Sequence, residues 1–318
     1  MTIYQNLPSR GKCRYLWTLE DYSGIAYNYE SSKLYRNLFI RGPRRLDLDA
    51  IYYTSLLHLH REDDLLKYKD EIELLKNYNI LPYRLELNKF AIEKLNLAPN
   101  NEMAKAYDAI QRINEFRSID YFWKEYCTSK TVAVVGNAPT TIHNGQTIDD
   151  SDLVLRFNNF QLNGFEHLVG TRTDAWCRIC DLRSNDKNIF KEKIKDIIFT
   201  DNPLNIPVGP SFLNEVLSEK KNFYFIPQNI VISIAKNLQA IPSSGARVLV
   251  SLHQNLMATN CKVSIFGFSF LNEKFNKFKF DHYFEGKSES RERAHSIPRE
   301  VDLLSHLFKD HLSGRKDI

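Results

Sequence analysis

His282 and His295 are the side chains of this chain best suited to moving a proton or meeting a phosphate, because imidazole changes charge near neutral pH. Glu300 follows His295 by five positions. Upstream, a β-branched run ends in Gly136-Asn137-Ala138-Pro139-Thr140-Thr141. A glycine there lets backbone approach a ligand, and the asparagine amide can donate to a phosphate or a ribose. Asn158 is a second neutral amide just after another apolar run. Ser243-Ser244-Gly245 precedes a helical stretch, so its hydroxyls and N–H groups either cap that helix or hold an anion. Each of these groups also has a plain structural reading: a βα turn, a loop histidine and a helix cap are built from the same residues.

Some chemistries fail on the residues themselves. The turn at Gly136 is neither GxGxxG nor GxxxxGK[ST], which excludes the usual dinucleotide and Walker-type triphosphate loops. Asp150-Ser151-Asp152 has the D-x-D form that holds a divalent ion in many transferases using nucleotide-diphosphate sugars, but here it leads into a strand, where turning and capping the chain is the competing role. Cys177 and Cys180 form a lone CxxC in strand-like surroundings, and no second pair supplies the further ligands zinc requires. Five cysteines, an odd number in a long chain, read as reduced thiols in a reducing compartment.

The elements that must position these groups come in two kinds. From about Glu62 to Tyr126 the apolar residues recur with helical period, as in Tyr68 to Leu75 and Met103 to Ile113, with Pro99-Asn100-Asn101-Glu102 as a turn and helix start. The pattern then changes to short apolar runs at 131–136, 152–157, 196–200, 222–226 and 262–267, with a strand or its end at 175–180 and a helix over 245–256. Strands alternating with helices predict an α/β fold: an open, doubly wound, mostly parallel sheet flanked by helices, with a mainly helical amino-terminal region. The expected division is 1–125 for the helical region and 126–318 for an α/β catalytic domain with a Rossmann-type nucleotide site.

The order of the motifs carries more than any one of them. Val134-Val135-Gly136-Asn137, Ile148-Asp149, Arg156-Phe157-Asn158, Gly164-Phe165-Glu166 and Val169-Gly170-Thr171-Arg172-Thr173 follow one another in a series that resembles the long sialyl motif of animal-type sialyltransferases. Pro242-Ser243-Ser244-Gly245 running to Phe266-Gly267-Phe268 resembles that family's short motif, His282-Tyr283-Phe284-Glu285 its third, and His295 with Glu300 its very short one. The turn at Gly136 is also similar to the G-N-x-P-S turn of shorter bacterial sialyltransferases. The resemblance covers residues 131 to 300 and leaves the first 120 or so unmatched. It departs at the family's disulfide, since position 132 is valine and Cys261 lies one place off the expected position, which implies that the bridge is absent.

What the resemblance implies is a GT-A-like, inverting transferase that moves sialic acid from CMP-sialic acid to a glycan hydroxyl. His295 would be the general base and His282 would meet the charge growing on departing CMP. Asn137 and Asn158 would hold phosphate and ribose, with Ser243, Ser244, Gly245 and Glu300 on the donor side. No metal and no cofactor beyond the CMP-sugar donor is implied, because a monophosphate can leave without a divalent ion. CMP-Kdo, in capsule or lipooligosaccharide synthesis, is the alternative donor. A metal-dependent UDP- or GDP-sugar transferase using Asp150 and Asp152 is another reading, and a non-catalytic glycan- or nucleotide-binding protein is a third.

Composition bounds the partners. The net charge of +4 comes from 43 basic and 39 acidic residues without a basic stripe, which argues against nucleic acid. The amino terminus lacks the apolar core of a signal peptide and no stretch is apolar enough to span a bilayer, so the chain is expected to be cytoplasmic or peripheral at the inner membrane.

Overall fold

The computed structural model describes residues 15–31, 43–80, 82, 84–112, 116–179, 194–201, 221–268 and 295–309. These fall into two compact units, 15–112 in the first and the remainder in the second.

The first unit is helical: α1 (Tyr22–Ser31), α2 (Pro43–His58), α3 (Glu62–Leu66), α4 (Lys69–Asn77), α5 (Leu85–Glu93) and α6 (Asn101–Arg112). Its core gathers Leu56, Leu65, Ile72, Leu75, Leu87 and Met103. Ile72 and Leu75 are one helical turn apart, as are Leu87 and Phe90, so each helix presents one apolar stripe inward. Helical period is plain in the sequence from Glu62 onward, but α2 lies ahead of that point. Its Ile51-Tyr52-Tyr53-Thr54 run is rich in residues that favour strands. Burial of Tyr52, Tyr53 and Leu56 overrides that preference, and Thr54 and Ser55 turn their hydroxyls back onto Ala50 O and Ile51 O. Asn88 donates to Met103 O at 2.9 Å and ties α5 to α6.

The second unit is a seven-stranded sheet in the order β1-β6-β5-β4-β3-β2-β7, every pair parallel. The strands are β1 (Arg117–Ser118), β2 (Thr131–Val135), β3 (Leu153–Phe157), β4 (Ala175–Arg178), β5 (Asp196–Phe199), β6 (Asn222–Phe225) and β7 (Lys262–Phe266). Between them run α7 (Ile119–Tyr126), α8 (Gly145–Asp149), α9 (Glu166–Val169), α10 (Gln228–Leu238) and α11 (Ser244–Thr259), with α12 (Ile297–Leu307) after β7.

Both faces of the sheet are covered, and the alternation along β2 shows how. Val132 and Val134 join the large core with α7, α10, α11 and α12, whereas Ala133 and Val135 face a smaller cluster with Ile148 of α8 and Val169 of α9. This is the doubly wound α/β arrangement, and it is wholly parallel where a mostly parallel sheet was expected. Residues 116–126 pack with the sheet: Ile119, Phe122 and Trp123 lie in its core, and Trp123 Nε1 donates to Ser251 Oγ of α11 at 2.9 Å.

The chain order defines a switch point. From β2 the strands proceed through β3, β4 and β5 to one side, while β7 returns to the other side of β2. Ligands of open α/β sheets settle in the crevice beyond the carboxyl ends of the strands at such a point.

Candidate active site

At the carboxyl edge two strands end in glycine and meet. Gly136 N donates to Phe266 O and Ala138 N to Gly267 O, both at 2.8 Å. A Cβ on Gly136 would collide with the Gly267 carbonyl, and one on Gly267 with that of Gly136. Gly267 also has φ +63°, a conformation that suits glycine. The two backbones are therefore in van der Waals contact, which only residues without side chains permit. Phe268 lies between this pair and α11: its ring carbons are 3.0 Å from a Cβ built on Gly136 and 2.7 Å from one on Gly245.

The two asparagines behave differently. Asn137 was expected to donate its amide to a ligand, but its Nδ2 donates to Phe157 O at 2.9 Å and Asn159 O at 2.8 Å. Both protons are thereby used, and since both partners are carbonyls the amide orientation is fixed. Asn137 pins the end of β3 to the end of β2 and retains only Oδ1, an acceptor, for a ligand. Asn158 is exposed, with φ +47°, a left-handed conformation that asparagine tolerates. Its backbone N donates to Cys177 O and its carbonyl accepts from Trp176 Nε1, both at 2.8 Å, so strand ends β3 and β4 hold the side chain outward.

Ser243 is the N-cap of α11, accepting from Ala246 N at 3.2 Å. Its own N–H and O–H both donate to the Glu300 carboxylate, at 2.8 and 2.6 Å. Expected among the donor-binding groups, Ser243 and Glu300 instead bind each other and fasten α12 to the start of α11. Burial pushes the Glu300 carboxyl above the ordinary range, against the opposing pull of His295 and of the Ser243 hydrogen bonds. Ser244 and Gly245 remain as the N–H groups of the first turn without an intrahelical partner. Ser244 Oγ lies 3.0 Å from Thr200 Oγ1 at the end of β5.

His295 is exposed, and its Nδ1 lies 2.7 Å from Ile241 O, just ahead of that helix start. A carbonyl only accepts, so Nδ1 carries a proton, and in the neutral ring Nε2 then presents a lone pair. Orientation and tautomer are thus set by backbone, as a general base requires. His282 lies outside the described residues.

The remaining sequence candidates occupy the opposite edge. Asp152 Oδ2 accepts from the Thr131 N–H and hydroxyl at the start of β2, both at 2.8 Å, and Asp150 accepts from Gln146. Asp149 accepts from Thr171 N, Thr171 Oγ1 and Arg172 N, and Gly170, at φ +75°, lies too close to it for a Cβ. Burial acts to raise the Asp149 carboxyl, but the N–H bonds of Arg172 and Thr171 outweigh it and hold the group below its usual range. Buried Arg156 donates to Arg172 O, Thr173 Oγ1 and Val169 O. Half of the long motif is therefore a structural knot at the amino edge, one strand length from the carboxyl edge, about 16 Å for five residues.

Among the described residues no group of three or more His, Cys, Asp or Glu side chains is placed to hold a metal. Cys177 is a buried thiol of β4 that burial holds protonated, and Cys127 and Cys261 are buried and free; Cys180 lies outside the described residues. No helix among the described residues is long and apolar enough to cross a membrane.

Three groups at the carboxyl edge escaped the sequence reading. Arg247 sits buried in the first turn of α11, where its only sequence signal is a cation at a helix start. Asn159 keeps a buried Oδ1 with no hydrogen-bond partner among the described residues. Thr200 ends β5 beside Ser244, and nothing in a threonine after an apolar run distinguishes it.

A doubly wound parallel sheet with glycine-joined strand ends, a capped helix start and an oriented imidazole at its switch point is an arrangement able to receive a nucleotide beyond the strand ends. Residues 84–202 match the model of glycosyltransferase family 29 (sialyltransferase). No curated protein matches it. Among solved structures it is similar to a mammalian sialyltransferase in complex with Gal-beta-1-3GalNAc-ortho-nitrophenol, at 21% identity and TM-score 0.44 over 74% of this chain and 83% of that one. A second structure of a mammalian sialyltransferase is 20% identical, with TM-score 0.44 over 70% and 81% of the two chains.

Proposed function

We propose that the protein transfers sialic acid from CMP-sialic acid to a glycan hydroxyl with inversion, using His295 as the base. The observation that carries this reading is the His295 tautomer: with Nδ1–H fixed on Ile241 O, the Nε2 lone pair is available to take the acceptor hydroxyl proton as its oxygen attacks the anomeric carbon. The bond from that carbon to the CMP phosphate oxygen breaks as the new glycosidic bond forms. The leaving phosphate would lie against the Ser244 and Gly245 N–H groups, where the start of a sixteen-residue helix favours negative charge. His282 is assigned to the same phosphate by its motif. Asn158, with the Oδ1 atoms of Asn137 and Asn159, would take ribose hydroxyls, which supply the donors those acceptors lack.

The metal-dependent UDP- or GDP-sugar reading is weakened by position, because Asp150 and Asp152 stand at the amino edge and the Asp152 carboxylate is engaged by Thr131. CMP-Kdo remains the competing donor, since the groups described here meet the nucleotide and not the sugar. A cytoplasmic or peripheral setting and a glycan acceptor complete the proposal. The test is CMP release from CMP-sialic acid and from CMP-Kdo, with and without EDTA, by the wild type and His295→Ala. The expected result is EDTA-insensitive release with CMP-sialic acid and a loss of about 100-fold or more in His295→Ala, with CMP affinity retained. Near-normal turnover in that variant removes the base assignment, and inhibition by EDTA revives the metal reading.

A further inference from the structure

Arg247 occupies a position that helix physics disfavours. It is the fourth residue of α11, where a cation opposes the helix dipole, and it is 5% exposed, so its charge has lost most of its water. Its contacts explain what it does there. Nε donates to Pro242 O at 3.0 Å, immediately before the N-cap, and Nη1 donates to Thr200 O at 2.8 Å while pairing with the Asp201 carboxylate. One planar guanidinium thus joins the end of β5 to the segment that starts α11. The Thr200 and Ser244 hydroxyls make a second link between the same two segments.

Resting on the donor-site reading above, we propose that the Arg247–Asp201 pair is a positioning clamp: it holds the Ser244 and Gly245 N–H groups at the distance from the sheet edge that the donor phosphate needs. A stability role accounts for it less well, because replacing a buried ion pair by uncharged residues is often neutral, whereas removing one partner strands the other. A preorganised anion site, in contrast, loses affinity when its donors are free to move even though none is deleted. Lysine does not replace the fork, since an ammonium on a flexible stem pairs with Asp201 without also fixing Pro242 O and Thr200 O.

The experiment compares the full-length wild type with Arg247→Lys, Arg247→Met and the double variant Arg247→Met/Asp201→Asn. CMP affinity is measured by calorimetry, donor KM and kcat by CMP release, and folding by thermal melts. Arg247→Met is expected to bind CMP about 10-fold more weakly and to raise donor KM similarly, with kcat changed less, and Arg247→Lys is expected to lie between it and the wild type. The double variant is expected to melt close to the wild type yet bind CMP as weakly as Arg247→Met, which separates positioning from stability and keeps the test open if the single variant misfolds. A double variant that recovers both melting temperature and CMP affinity overturns the clamp, as does CMP affinity in Arg247→Met within about twofold of wild type. If the wild type binds CMP but releases none from either CMP-sugar, the transferase reading fails while the order of CMP affinities still judges the clamp.

Discussion

Glu300 shows how one side chain can sit in a functional motif and act on the backbone of another element. Its carboxylate accepts both the N–H and the O–H of Ser243, which leaves the Ser244 and Gly245 N–H groups as the first-turn donors that Glu300 does not engage. Burial raises its folded pKa above the ordinary glutamate value of 4.5. A group raised in this way contributes its full stability below the unfolded value and loses it as pH rises through the folded one. Glu300→Gln removes that titration. Urea unfolding of both proteins between about pH 4 and pH 8 is therefore expected to show the wild type's advantage largest at the acidic end and shrinking as pH rises. An advantage that grows with pH would mean that the Ser243 bonds and His295 outweigh burial and hold the carboxyl below its ordinary value. The same scale shows what residue type leaves open. Asn137 is legible as an amide in a βα turn, but whether it points outward to a ligand or inward to Phe157 O and Asn159 O depends on where β3 ends, which a neighbouring strand decides.

Elements were readable where local and tertiary preferences agree. Strands β2, β3 and β7 are short, mainly apolar runs that end at a polar or glycine residue, and each lies within a residue or two of its expected span. The two-residue β1 carries no pattern long enough to read. Helix α10 places Ile230, Val231, Ile232 and Ile234 close together, a run whose propensity favours strand and whose burial against the sheet and α11 makes it helix. The long motif is continuous in order but divides between two sheet edges, because a parallel sheet sends the chain back across its face after every strand. Sequence order alone does not reveal that Asp149, Gly170 and Arg172 brace the amino edge while Gly136 and Asn158 stand at the carboxyl edge. The glycine junction at the carboxyl edge makes the sharpest prediction at this scale. Gly267→Ala adds a methyl against the Gly136 carbonyl and demands a left-handed alanine. The expected cost is about 2 kcal/mol or more in chemical denaturation, together with weaker CMP binding as β2 and β7 part at the crevice. Unchanged stability in that variant would show that the two strand ends are not locked together.

At the scale of the whole molecule, the two units have separate cores: Leu56, Leu65 and Ile72 in the first, and the sheet with Trp123, Trp176 and Tyr224 in the second. Every described candidate site residue belongs to the second. A ligand that binds one folded unit stabilises that unit by RT ln(1 + [L]/Kd), about 2.7 kcal/mol at one hundred times Kd, and leaves an independently melting unit unaffected. Differential scanning calorimetry is therefore expected to resolve two transitions, with CMP raising only the one that belongs to the sheet. Leu56→Ala empties part of the fully buried helical core and is expected to cost that unit about 2–5 kcal/mol, lowering the other transition without altering CMP affinity. A single transition that CMP raises and Leu56→Ala lowers would show instead that the helical unit and the sheet fold as one cooperative body. The amino-terminal helices would then belong to the framework of the donor site, and variants in their core would weaken CMP binding as well as stability.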